Sequence, residues 1–210
     1  MPEKMISNVG SEIGKLNGVI LHRPGTEVEN MTPGNAEKAL YSDLLNLTIA
    51  RHEYAQMEGI LKKVTSVYYV KDLLTEILKN QKVKENLLNS ICSYECKEDI
   101  LNRLLDLNGE ELADVLIEGL VMENDTLTKF MSIERYSLMP LHNFFFTRDA
   151  SITVNDKVII SRMASKVRER EAIIMDAIFN YYNDFSAKVH NPIKESYFDD
   201  SIYIEGGDIQ

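Results

Sequence analysis

The chain has 210 residues, with 23 Lys+Arg against 33 Asp+Glu for a formal net charge of −10, and is 44% apolar and 27% charged. That is ordinary globular composition, with enough chain to bury a core without disulfides or metal. The negative excess repels phosphate backbones, so no nucleic-acid partner is expected, and no apolar run approaches the roughly 18 residues of a membrane span. The first residues carry no apolar stretch resembling a signal peptide, and two cysteines, Cys92 and Cys96, make no secreted disulfide framework. These features predict a cytoplasmic protein.

In chain order, Val19, Ile20 and Leu21 predict a strand over 17–22, closed by Pro24-Gly25. Thr32 and Pro33 read as an N-cap and first helical residue. The helix after them carries Ala36, Ala39, Leu40, Leu44, Leu47, Tyr54, Met57 and Leu61 at near-helical spacing, with room for one break. Residues 64–70, β-branched and aromatic, predict a second strand. A βαβ opening argues for an α/β fold with parallel pairing.

Between 72 and 136 the texture is helical. Leu73, Leu74, Ile77 and Leu78 mark one short amphipathic helix, and Leu87, Leu88, Ile91 and Cys92 a second. Ile100, Leu101, Leu104 and Leu105 mark a third, stopped by Asn108-Gly109, and Leu112, Val115, Leu116 and Leu120 a fourth. No strand signal interrupts them. The expected organisation is a helical bundle, 72–136, inserted into an α/β domain formed by 1–71 and 137–210.

The α/β pattern resumes with a predicted strand at 144–147 and a hairpin about Asn155-Asp156, flanked by Ile152 to Val154 and Val158 to Ile160. A helix is predicted over 164–182 and a strand over 201–204, running into Glu205-Gly206-Gly207-Asp208. The chain stops two residues later, which reads as an interruption of a domain.

Two acidic segments follow predicted strands, one ending in Asp149 and one beginning at Glu205. Strand ends are where α/β folds place ligand contacts, and paired carboxylates accept the planar fork of a guanidinium. Glycines after Glu205 allow close backbone approach. Taken singly, such acids are more often solvated turn residues. Glu110-Glu111 and Asp199-Asp200 are read that way. Cys92 and Cys96 read as small core residues on one helix face. His22 reads as a structural hydrogen-bonding residue, His142 as a neighbour of the acidic cluster, and His52 and His190 as surface or helix residues.

Five motifs occur in order: Ser11-Glu12-Ile13-Gly14-Lys15-Leu16, Leu21-His22-Arg23-Pro24-Gly25, Phe146-Thr147-Arg148-Asp149, Arg168-Glu169-Arg170-Glu171 and Glu205-Gly206-Gly207-Asp208. This set resembles the arginine deiminase family, and so does the helical insertion. The resemblance implies a pentein-type α/β propeller of ββαβ modules, incomplete here. It also implies hydrolysis of L-arginine to L-citrulline and ammonia through a cysteine thiolate and a histidine, without cofactor or metal. Carried over by motif, Asp149 and Glu205 would hold the guanidinium nitrogens, with Glu205 also near the histidine. Asn143 and Arg168 would contact the α-carboxylate, and Phe146 would pack on the aliphatic stem. Asp208 would either support the site or take the α-ammonium.

The departures are informative. Members of that family run to about twice this length, and the nucleophilic cysteine and the histidine base fall in the missing half. The expectation is an N-terminal half that is inactive by itself. The alternative is a non-catalytic remnant that binds arginine or self-associates as a homo-oligomer. His52-Glu53-Tyr54-Ala55 and His142 replace family residues at positions that affect packing more than substrate contact.

Overall fold

In the computed structural model, which describes residues 4–31, 41, 43–123, 126–131, 135–194 and 201–209, parallel strand pairing comes first in the chain. β1 (Met5–Ile6) and β2 (Gly18–Leu21) precede the short α1 (Thr26–Glu29). α2 (Leu47–Val64) then leads into β3 (Ser66–Tyr69), which pairs parallel with β2 from Gly18↔Ser66 to Leu21↔Tyr69. This is the βαβ unit expected from the sequence, since parallel neighbours need a crossover between them. Asn46 sets the start of α2 by accepting a hydrogen bond from the Ile49 N–H at 3.1 Å. Leu44 precedes that helix, and the predicted cap at Thr32 and Pro33, with Ala36, Ala39 and Leu40, lies outside the described residues. The acidic pair Asp199-Asp200 also lies outside them.

Glu58 is the one buried residue of α2. Its carboxylate receives Arg23 Nε at 2.8 Å, Arg23 Nη2 at 2.6 Å, Tyr69 Oη at 2.5 Å and Lys62 Nζ at 2.5 Å. One side chain thus ties the helix to the chain after β2 and to β3. The Arg23 hydrogen bonds hold the Glu58 carboxyl well below the usual carboxylate range. Glu58→Ala is expected to lower stability by about 1–2 kcal/mol, trimmed by solvent around Arg23. The sign follows from the depressed pKa: the contribution is complete above the unfolded carboxyl value and is lost as pH falls toward the folded one. Thermal melts should therefore separate wild type and variant at pH 6 to 8, with the gap beginning to narrow below about pH 4 and closing only in stronger acid; a gap that widens in acid would refute this account.

Val70, read in sequence as a strand residue, is the first residue of α3 (Val70–Leu78). α4 (Gln81–Glu95), α5 (Leu101–Leu105) and α6 (Gly109–Glu118) follow. Asn80 caps α4, and Asn108 with Glu111 forms a capping box on α6. Asn108-Gly109 is therefore a helix start as well as a stop, and Glu111 has a structural partner. The buried Lys84 extends its ammonium to the carbonyls of Leu105 and Leu107 at 2.5 and 2.6 Å, satisfying the open end of α5. The stretch is not free of strands: β4 (Leu120–Val121) and, after α7 (Leu127–Phe130), β5 (Tyr136–Leu138) pair antiparallel.

The predicted strand at 144–147 is instead a turn followed by α8 (Thr147–Ala150). Phe144 is fully buried and Phe146 is 50% exposed, so the aromatic run divides between core and surface without strand alternation. β6 (Ser151–Val154) and β7 (Lys157–Ile160) form the expected hairpin, with Asn155 at φ 51° in its two-residue turn. A 3-10 turn, Lys166–Arg168, feeds α9 (Glu169–Tyr181). After β8 (Phe185–Ser186), which pairs parallel with β1, β9 (Lys188–His190) lies parallel to β7. The sheet order is β6-β7-β9, a ββαβ unit. His190 is thus a strand residue opposite Ile159. The strand predicted at 201–204 reduces to one bridge, Arg162↔Ile204.

α9 is central. Ile174, Met175, Ala177 and Ile178 join the cluster formed by α3, α4 and α6, while Ala172 packs on Val158, Ile160 and Met163 of the hairpin side. Burying both faces of a helix fixes its roll, and thereby the charged residues at its N-terminus. Among the described residues the sheets are small and none closes. No described helix is long and apolar enough to cross a membrane.

Candidate functional site

The two acidic segments meet. α8 packs against the 3-10 turn Gly206–Asp208, and the contact is backbone to backbone. A Cβ on Gly206 would lie 2.0 Å from the Arg148 carbonyl oxygen, so only glycine admits this approach. Arg148 closes the junction, donating from Nε to the Gly206 carbonyl at 3.1 Å and from Nη2 to the Ile209 carbonyl at 2.7 Å. Its other partner is Glu12, from the first of the five motifs. Thr147 Oγ1 donates to the Ile20 carbonyl at 3.0 Å, which fastens α8 to β2.

Each predicted residue has a definite environment. Asp149 Oδ2 accepts from Arg168 Nη1 at 3.0 Å. Arg168, itself buried, also holds Glu171, with Nε 3.2 and 3.3 Å from its two carboxylate oxygens and Nη2 at 2.9 Å. Glu205 Oε1 accepts from the Ala164 N–H at 2.8 Å, and the neighbouring Met163 N–H donates to Glu169 Oε2 at 3.0 Å. Asp208 accepts from the Glu205 N–H at 2.9 Å in a reciprocal cap, so it holds Glu205 in place. Asn143 is buried, and Phe146 leaves half its surface open, its ring 4.3 Å from that of Phe145. The backbone of the two acidic segments is brought together, while their carboxylates engage different groups of the protein.

The electrostatics are those of crowded, partly desolvated charge. Burial works to discharge Arg168, but Glu171 and Asp149 outweigh it and hold the guanidinium's pKa above its ordinary value. Burial pushes the Glu171 carboxyl up to about 7 against the pull of Arg168. Glu169 is likewise raised, first by burial. Arg170, wholly buried, is lowered by desolvation; Glu95 opposes this from 3.1 Å, and Nη2 donates to the Met139 carbonyl.

The cysteines separate: Cys92 is buried in the helical core, where burial pushes its thiol up to about 11, and Cys96 is exposed at the end of α4 in a left-handed conformation. They do not share the single buried face expected of them, because α4 ends at Glu95. His22 Nε2 lies 3.3 Å from the buried Glu27 carboxylate. His142 is buried, bonding through Nδ1 to the Glu27 carbonyl, and desolvation lowers its pKa. His52 is exposed beside Gln56. No group of three or more His, Cys, Asp or Glu able to hold a metal occurs among the described residues.

Two participants carry no assignment from the sequence. Glu171 is one, although its spacing three residues after Arg168, at the start of α9, is a usable signal. Tyr41 is the other: its hydroxyl donates to the His142 carbonyl at 3.4 Å, and it stands close enough to feel the charges of Arg168 and Glu171. Nothing local in the sequence marks it.

Comparison with known proteins bears on the same segments. The family model described as arginine deiminase matches residues 37–210. The arginine deiminase of Borreliella afzelii is 33% identical over 217 residues, covering 96% of this chain and 52% of that protein. That of Limosilactobacillus fermentum is 31% identical, over 96% of this chain and 52% of its own. That of Oenococcus oeni is 29% identical, over 99% and 53%. The chain spans about half the length of the curated relatives it matches. Since the match runs through α8, the Arg168–Glu171 segment and the Glu205–Asp208 segment alike, this chain belongs to the arginine deiminase family.

Proposed function

We propose that this chain supplies the guanidinium-holding half of an arginine deiminase, which converts L-arginine and water to L-citrulline and ammonia without metal or cofactor. Asp149 and Glu205 take the substrate guanidinium, Asn143 and Arg168 its α-carboxylate, and Phe146 its methylene stem. Asp208 acts by holding Glu205. One observation carries the reading: Asp149 already binds a guanidinium, that of Arg168, on a segment interlocked with the one bearing Glu205. A flat cation held between carboxylates and clamped at its far end is positioned by charge-assisted bonds.

The β6-β7-α9-β9 unit supports reading the fold as part of a pentein propeller. In that reading 1–71 and 137–210 contribute to the propeller and 72–136 is the insertion, in a cytoplasmic protein. The covalent step requires a thiolate and a histidine base. Cys92 is a buried thiol in the helical core, Cys96 caps the end of α4 within the same helical stretch, and His142 and His22 are occupied in structural contacts with the Glu27 segment. The 210-residue polypeptide is therefore expected to bind L-arginine in a calorimeter and to release no citrulline. Citrulline above the blank would overturn the inactivity; absence of any arginine binding would overturn the site.

A second reading, self-association of the same chain, is favoured by α2. Met57, Ile60 and Val64 lie along one helical stripe and are 42, 64 and 62% exposed.

A further inference from the structure

Arg168 presents five N–H donors, and the structure divides them unequally. Nε and Nη2 go to Glu171, while Nη1 reaches Asp149 at 3.0 Å. The two acceptors differ in exposure: the Glu171 side chain is 1% exposed and that of Asp149 is 29% exposed. A buried carboxylate stripped of the guanidinium that hydrogen-bonds it is very costly, whereas a partly hydrated one can exchange its cation for water or another cation. Arg168 can leave Asp149 far more easily than it can leave Glu171.

We propose that Glu171 is the positioning residue of the site, a permanent anchor for Arg168, and that Asp149 is the partner Arg168 yields when arginine arrives. This rests on the reading above, in which Asp149 takes the substrate guanidinium and Arg168 its carboxylate. In the empty site Arg168 occupies Asp149 as a surrogate cation. When the ligand guanidinium takes over Asp149, the outer Nη edge of Arg168 is freed for the ligand carboxylate. Glu171 keeps the Nε edge throughout, so the fork does not swing away. Its own position is fixed because α9 is packed on both faces and the adjacent Arg170 is held by Glu95 and the Met139 carbonyl.

The test compares L-arginine with agmatine, which has the same guanidinium and no α-carboxylate, by calorimetry on the 210-residue chain. Wild type should prefer L-arginine. Glu171→Gln should lower L-arginine affinity by about tenfold or more, the scale of one charge-assisted hydrogen bond, with agmatine affinity nearly unchanged. Glu171→Asp should restore part of the preference. A preference kept in Glu171→Gln, or an equal loss for both ligands, overturns the positioning role while leaving the arginine site standing. Wild type that binds no arginine overturns the site and this role together. Should Glu171→Gln fail to fold, the wild type itself answers through the Arg168 Nε–H resonance, identified by its loss in Arg168→Lys. It should stay protected from solvent exchange when arginine is added; loss of that protection overturns the anchor.

Discussion

Gly206→Ala is expected to separate the two acidic segments and to abolish measurable arginine binding. The added Cβ would sit 2.0 Å from the Arg148 carbonyl oxygen and 2.7 Å from its carbonyl carbon, both backbone atoms that no rotamer change can move. Overpacking of this kind costs about 2–3 kcal/mol, and here it falls on a junction rather than a broad core. The segment should lift as a unit, taking Glu205 and Asp208 away from α8 and releasing the Arg162↔Ile204 bridge. Faster hydrogen exchange at the Ile204 amide would report it. Gly207→Ala is the internal control, because nothing lies within 4 Å of its added Cβ. That variant should keep stability to within about 0.5 kcal/mol and keep its ligand. If both variants behave alike, close approach of the backbones is not what organises the site.

Removing the carboxylate of Asp149 should have a different signature, a loss of binding with little loss of fold. Asp149 is part-exposed, and Arg168 retains Glu171 when Asp149 is gone. The cost in stability should stay below about 1 kcal/mol, as for other solvent-accessible ion pairs. The cost in affinity should be larger, because a charge-assisted hydrogen bond to a desolvated guanidinium contributes about 1.5–3 kcal/mol, or roughly 10- to 100-fold. Asp149→Ala is thus expected to weaken L-arginine binding on that scale, with Asp149→Asn, which keeps shape and loses charge, falling between. Titration calorimetry together with a thermal melt separates the two effects. An Asp149→Ala chain that binds arginine as wild type does would remove Asp149 from the cradle.

Much of this organisation was legible in the chain itself. The alternation about Asn155-Asp156 forces a hairpin, and the apolar spacing in 70–118 yields helices that bury most of the predicted residues, although Leu101, Leu105 and Val115 are only half-buried and Leu120 lies in β4 rather than in the fourth helix. Local readings failed where tertiary contact decided the backbone. Phe144, Phe145 and Phe146 have strand-like composition, yet the segment turns, because burying Phe144 and exposing Phe146 suits a bend better than an extended run. Ile202, Tyr203 and Ile204 likewise have strand propensity, but among the described residues they pair only through the single Arg162↔Ile204 bridge. Propensity describes a residue's fit to a pleated surface, and without a neighbouring edge there is no surface to fit.

For the proposed site, residue type and motif order named the groups: the carboxylates of Asp149 and Glu205, the glycines after Glu205 and, through the family resemblance, the Arg168 fork. They also determined the family. Tertiary structure alone decided how those groups are paired. Arg168 lies 19 positions from Asp149 and three from Glu171, and its division between them is a matter of burial and geometry. Sequence specifies chemistry residue by residue, whereas the strength of an ion pair depends on how much water the rest of the fold excludes from it.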